Sequence, residues 1–226
     1  MKKLLIFDFD GTLVDTITDV GICFNRALLQ CDLPQHPLEK FSDFAGGNLE
    51  TVVSKMLPPN AVTEKNIFSV KTLYRKLYLE DSKPNTKPYD GIMQLLNALK
   101  QSGYVLAINS NKGQQLLDDM VEKIFGNNFF KSVVGYLESF PSKPDPYGVR
   151  KICAECHCSI TETIYIGDGM SDVVTAHNAG IPCVFVQWGQ GHISDWENTY
   201  NAHIASNIKQ LEKLLTTELQ NDNETV

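Results

Sequence analysis

The sequence predicts an α/β protein: a doubly wound parallel-sheet core with a small helical insert after its first strand. Three observations carry this. From about residue 89 onward, short apolar runs alternate with amphipathic helical segments, the rhythm of parallel strands joined by crossover helices. An isolated apolar run, Leu4 to Phe7, stands near the N-terminus. Between these two regions, residues 16–82 show helical periodicity and no convincing strand. The expected division is a core of residues 1–15 and 83–226 with a helical insert of residues 16–82.

The elements follow in order. Lys3 to Asp8 is a continuous apolar run closed by a carboxylate, the pattern of a strand buried on both faces. Asp10-Gly11-Thr12 turns the chain. Ile17, Val20, Phe24, Ala27 or Leu28, and Cys31 then recur at helical spacing, and Thr16 with Asp19 resembles a capping box. A second helix opens at Asn48 after Gly46-Gly47, and Ile67, Val70, Tyr74 and Leu77 mark a third. The polar, Pro-containing stretch Ser82 to Pro88 reads as a linker. Beyond it come a helix through Ile92 and Leu99 ending at Gly103, a strand from Tyr104 to Asn109 ending at Ser110, and a helix through Leu116 and Met120. Ser132 to Tyr136 is a short strand, and Tyr147 to Cys156 a helix entered after Pro146. The strand Thr163 to Gly167 runs into Asp168, followed by a helix ending at Gly180. Pro182 to Val186 is a last strand, Ile208 to Leu219 a closing helix, and the polar tail from Gln220 should fray.

Composition narrows the function classes. Of 226 residues, 42% are hydrophobic and 21% charged, ordinary values for a globular chain. The net charge of −7 argues against electrostatic nucleic-acid binding. The first apolar run is too short for a secretory signal, and no window approaches the roughly 20 apolar residues of a membrane span. The expectation is a cytoplasmic protein, monomer or homodimer, acting on a small molecule. Among six cysteines, Cys153, Cys156 and Cys158 cluster around His157, but no second pair lies at zinc-finger spacing. Packed thiols are expected there.

The polar residues collect at strand ends. In open α/β sheets, ligands bind beyond the carboxyl ends of the strands. Asp8, Ser110 and Asp168 each follow an apolar run, and Lys143 lies in the loop after another, Ser132 to Tyr136. If those strands are adjacent and parallel, the four residues meet in one crevice. Asp8 and Asp168 would supply hard oxygen ligands suited to Mg²⁺. A carboxylate beside such an ion can attack phosphorus. Ser110 and Lys143 would hold the phosphoryl group, and Asp10 would move protons to and from the reacting oxygens. Taken singly, each residue has a plainer reading: a turn aspartate, a helix cap at Ser110-Asn111, a solvated lysine. Those readings would have to hold at all four strand ends at once.

Here the motifs resemble those of the haloacid dehalogenase superfamily. Asp8-Phe9-Asp10-Gly11-Thr12 resembles its first motif, Ile108-Asn109-Ser110-Asn111-Lys112 its second, Lys143-Pro144-Asp145-Pro146 its third, and Gly167-Asp168-Gly169-Met170-Ser171-Asp172 its fourth. The resemblance implies a nucleophilic, metal-ligating Asp8 and a general acid/base Asp10 that reaches metal through its carbonyl. It implies phosphoryl binding by Ser110, Asn111, Lys143 and Gly11, and Mg²⁺ binding by Asp168 with support from Asp172. The insert resembles the family's C1 cap. Because Asp10 is present, phosphoryl transfer is favoured over dehalogenation.

Within the superfamily the phosphoglycolate phosphatases look most similar. Phe44 to Glu50 sits where that subgroup places a substrate-facing loop, and backbone N–H groups at Gly46 and Gly47 would suit an anion such as the carboxylate of 2-phosphoglycolate. A tight turn and nothing more is the alternative for Gly46-Gly47. A β-phosphoglucomutase-like enzyme, a pyrophosphatase, a nucleotide phosphatase and a phosphonatase stay open, although Lys55 is a poor Schiff-base candidate. A non-catalytic phospho-acceptor module of the receiver type would lack both the insert and the Asp8/Asp10 spacing.

Overall fold

The computed structural model describes residues 2–191, 200 and 202–221. Its centre is a six-stranded parallel sheet in the order β5-β4-β1-β6-β7-β8. The strands are β1 (Leu4–Phe7), β4 (Val105–Gly113), β5 (Ser132–Tyr136), β6 (Thr163–Gly167), β7 (Cys183–Val186) and β8 (His203–Ala205). β1 is buried along its whole length. Leu5 and Phe7 enter the core on one face of the sheet, Leu4 and Ile6 the core on the other, as the period of two requires.

Helices cover both faces. Those on the Leu5/Phe7 face are α5 (Ile92–Gln101), α6 (Gln114–Phe125) and α9 (Ile208–Lys213), which continues as a π-helical turn over Leu214–Glu218. α7 (Tyr147–Cys156) and α8 (Met170–Ala179) line the other face. After β1 the chain builds outward through β4 and β5, then returns to the opposite side of β1 with β6. This reversal puts a crevice at the carboxyl ends of β1, β4 and β6.

The helical stretch between β1 and α5 contains α1 (Ile17–Gln30), α2 (Phe41–Phe44), α3 (Leu49–Met56) and α4 (Glu64–Glu80). They share an apolar cluster built on Phe24, Leu28, Phe41, Val53, Met56, Val70 and Leu77. Each such side chain, fully buried, contributes roughly 1.5–3 kcal/mol. Phe24 stacks on Tyr74 at 3.7 Å between ring centroids.

Four local expectations need correction. Two residues on each side of the helical stretch form an antiparallel pair, β2 (Val14–Asp15) with β3 (Lys87–Pro88), so the linker's end is paired backbone. Thr16 and Asp19 form no capping box. Asp19 instead accepts hydrogen bonds from Asn85 N (3.0 Å), Asn85 Nδ2 (2.8 Å) and Thr86 Oγ1 (2.7 Å), because a carboxylate facing three donors across the linker gains more than one local cap. β4 runs past Ser110 to Gly113 with an irregular register, and Gly113, not Ser110-Asn111, is the N-cap of α6. β8 is a further strand beyond β7, and the closing helix is α-helical only in part.

Candidate active site

Strand order alone brings the predicted residues together. β1 delivers Asp8 into the crevice, flanked by β4 at Ser110 and by the end of β6 with Asp168. The loop after β5 brings in Lys143, whose peptide bond to Pro144 is cis. The Lys143 ammonium lies 2.9 Å from Asp8 Oδ1 and 2.7 Å from Asp172 Oδ1, with only 3% of its side chain exposed. Asp172 stands in the first turn of α8, where its Oδ2 accepts from Gly169 N at 3.0 Å; a carboxylate there also suits the helix dipole. Tyr165 OH lies 3.2 Å from Asp172 Oδ1. Asp168 Oδ1 accepts from Thr12 Oγ1 at 3.0 Å, and its Oδ2 from Gln190 N at 2.8 Å.

Asp8, Asp168 and Asp172 each offer an oxygen within 4.8 Å of the others, and all three are buried. Among the described residues, this is the group of acidic, histidine or cysteine side chains arranged to hold a metal ion. Against three carboxylates stands one buried ammonium, so two negative charges are unbalanced. Burial, then the neighbouring Asp172, push the Asp8 carboxyl well above the ordinary range, against the pull of Lys143. Burial and Asp172 likewise push Asp168 up to about 7. Burial opposes the charge on Lys143, but Asp172 and Asp8 outweigh it and hold the ammonium proton more tightly than usual. Hard oxygen donors and surplus negative charge both suit a small divalent cation.

The Asp10 carboxylate is outside this trio. It accepts from Thr16 Oγ1 (2.6 Å) and from Lys112 Nζ (2.8 Å to Oδ1, 3.0 Å to Oδ2). Ser110 is buried, and its Oγ accepts from Lys112 N at 3.3 Å. Asn111 Oδ1 accepts from Lys143 N at 2.9 Å, and Asn111 Nδ2 reaches the carbonyls of Gly47 and Lys143 at 3.3 Å each. Gly11, at φ +80°, passes so close to Asp168 and Gln190 that a Cβ would collide with both, and its N–H donates to Val14 O at 2.9 Å. Its backbone therefore makes room for Asp168. Gly46 and Gly47 also adopt positive φ. Lys55 Nζ reaches the carbonyls of Ala45 (3.1 Å) and Gly46 (3.4 Å), which places Lys55 as a brace of that loop.

Four participants were missed by sequence reasoning: Lys112, Thr12, Thr16 and Gln190. Thr12 and Lys112 lie inside the quoted motifs, yet only the adjacency of β1, β4 and β6 shows what they touch. The cysteines near His157 pack instead of gathering: Cys153 and Cys156 are buried in the sheet's second core, and Cys153 Sγ lies 3.5 Å from Thr163 Oγ1. No described helix is long and apolar enough to cross a membrane.

Comparison with known proteins agrees with this geometry. The sequence model of the haloacid dehalogenase-like hydrolases matches residues 5–186. A phosphoglycolate phosphatase of Pasteurella multocida is 28% identical over 197 residues, covering 84% of this chain and 88% of that protein. The corresponding protein of Aquifex aeolicus is 27% identical over 187 residues, covering 83% and 85%. Among solved structures, an inferred phosphoglycolate phosphatase from Lactobacillus delbrueckii subsp. bulgaricus superposes with a TM-score of 0.87 at 26% identity, covering 95% of this chain and 99% of that one.

Proposed function

The chain belongs to the haloacid dehalogenase-like hydrolase family, and from that premise we propose that it is a Mg²⁺-dependent phosphatase of small phosphate monoesters, with 2-phosphoglycolate the first substrate to try. One observation carries the reading: Lys143 bridges Asp8 and Asp172 beside Asp168, with Asp10 held separately two residues from Asp8. Asp8 attacks phosphorus and the bond to the leaving oxygen breaks, leaving an aspartyl-phosphate on Asp8. Asp10 gives the departing oxygen its proton, then takes one from the water that attacks the phosphoaspartate. Ser110 and Lys143 hold the phosphoryl oxygens, where fixed donors in a dry site are worth most. Asp8, Asp168 and the Asp10 carbonyl would hold Mg²⁺ with Asp172 in support, and the bound ion would lower the charge repulsion between phosphate and carboxylates.

The helical stretch of residues 16–82 is proposed as a cap over this crevice. The loop at Gly46 and Gly47, linked to the floor through Asn111, would then face the part of the substrate beyond the phosphate. The names of the Pasteurella and Aquifex relatives support a carboxylate there. The test is phosphate release from a panel of 2-phosphoglycolate, hexose phosphates, nucleotides and pyrophosphate, with and without Mg²⁺, and with Asp8→Asn as the inactive control. Folded, metal-supplied protein that turns over no member would refute the proposal.

A further inference from the structure

We infer that Lys112 is a positioning residue for the second half of the proposed reaction, orienting the Asp10 side chain that takes the proton of the attacking water. The inference rests on the phosphatase reading above and gives Lys112, the last residue of the second motif, a role not assigned to it above. Its basis is geometric. Lys112 Nζ donates to both oxygens of Asp10, at 2.8 and 3.0 Å, while Thr16 Oγ1 fixes Oδ1 at 2.6 Å. With a donor at each of these contacts, the Asp10 carboxylate is fixed in orientation. The Lys112 side chain is 6% exposed, whereas Asp10 keeps 31% of its own side chain open. Part of the Asp10 side chain is therefore open to solvent, whereas the lysine is enclosed.

The lysine is itself clamped. Its ammonium sits 4.9 Å from the centroid of the Tyr78 ring and 5.8 Å from that of Phe9, both within cation–π range. Phe9 lies between the two aspartates of the crevice, and Tyr78 belongs to α4. The helical stretch thus reaches the proton-transfer group through Tyr78 and Lys112.

In the step concerned, a water oxygen bonds to the phosphorus of phosphorylated Asp8. The phosphorus–Asp8 oxygen bond breaks, its electron pair returns to the Asp8 carboxylate, and the water proton passes to Asp10. Inorganic phosphate leaves. Formation of the phosphoaspartate from p-nitrophenyl phosphate needs no proton, because nitrophenolate departs as an anion. With that ester, kcat/KM reports the first half and kcat the second.

The experiment measures both constants for wild type, Lys112→Met and Lys112→Arg on p-nitrophenyl phosphate with saturating Mg²⁺. Methionine fills the slot without a donor; arginine can still reach both oxygens. For Lys112→Met we expect kcat to fall by about 30- to 100-fold, in the range of one general-base contribution, with KM falling in parallel and kcat/KM within about threefold of wild type. Acid-quenched samples should show phosphorylated protein building up, and arginine should restore most of kcat. If kcat/KM falls as far as kcat, or kcat does not change, the inference is overturned. If methionine does not fold, Lys112→Leu, also without a donor, carries the same expectation. A wild type inert toward every ester sinks the phosphatase reading itself, a result distinct from a variant that fails to separate the two constants.

Discussion

The floor of the crevice and the helical stretch above it are held by different kinds of forces. On the floor, each carboxylate is fixed by the backbone end of a strand or helix and by two or more named donors. Asp168 is held by Thr12 and Gln190, and Asp172 by Lys143 and Gly169. In the helical stretch the fixed part is apolar, a cluster around Phe24 and Phe41. The loop facing the floor hangs on the Asn111 contact to Gly47 and the Lys55 brace. Chemistry is rigidly placed, and the surface that would choose a substrate is lightly placed. Substitutions on the floor should therefore change rates by orders of magnitude, and those in the loop by small factors.

Asp8→Asn gives the largest effect expected: loss of turnover by at least about 10³-fold, as for removal of a nucleophile. It should not lower the melting temperature of metal-free protein, because the charged Asp8 is disfavoured in the fold by burial and Asp172. A large drop in melting temperature would mean that the Asp8–Lys143 pair is structural. Lys143→Met comes next. It leaves three buried carboxylates without their ammonium, and breaking a buried pair from one side costs about 3–5 kcal/mol. Denaturant unfolding without metal should show that loss, with activity down about 10²-fold or more.

The floor is also where the sequence was most legible. Asp8 and Asp168 each end a fully apolar run, and a strand end is visible in one dimension. The role of Lys112 could not be found that way: it ends the second motif, but its partner lies 102 positions away. Thr16 and Asp19 depart from the sequence expectation for a related reason. Local spacing suggests a cap, but their partners are Asp10 and the linker, known only once the chain is folded. The two-residue strands β2 and β3 are too short to show any period.

Next in size is a pH effect confined to the floor. Burial and Asp172 raise Asp168 from its ordinary 3.8 to about 7. A raised carboxyl contributes stability to the fold while it is protonated, and that contribution is lost as pH climbs from about 4 to about 7. Metal-free protein should thus melt at progressively lower temperature across that window. Divalent cation should restore the most stability at its upper end. Thermal melts with chelator and with Mg²⁺ at matched pH check this; a Mg²⁺ effect independent of pH would contradict it. In the other region, Asp19→Asn swaps an oxygen for an amide donor among three existing donors. It should cost about 2 kcal/mol of stability and change turnover only a few-fold, the signature of a junction and not of a catalytic group.

The smallest expected effect is the most informative about substrate choice. Gly46 has φ +90°, and a Cβ there would meet nothing within 4 Å. Alanine therefore introduces backbone strain and no clash, about 1 kcal/mol. If Gly46 only turns the chain, that small loss of stability is the whole consequence, and both kinetic constants stay at wild-type values. If its backbone N–H touches the substrate, relaxing the strain shifts the donor, and KM rises while kcat holds, because contacts made equally in ground and transition states move KM alone. We expect about a threefold rise in KM for a substrate with a second anionic group, and none for p-nitrophenyl phosphate, which has no such group for the loop to hold. Equal kinetics on both substrates would leave Gly46 a turn residue and move the search for the selecting group to the aromatic face of α4 at Tyr74.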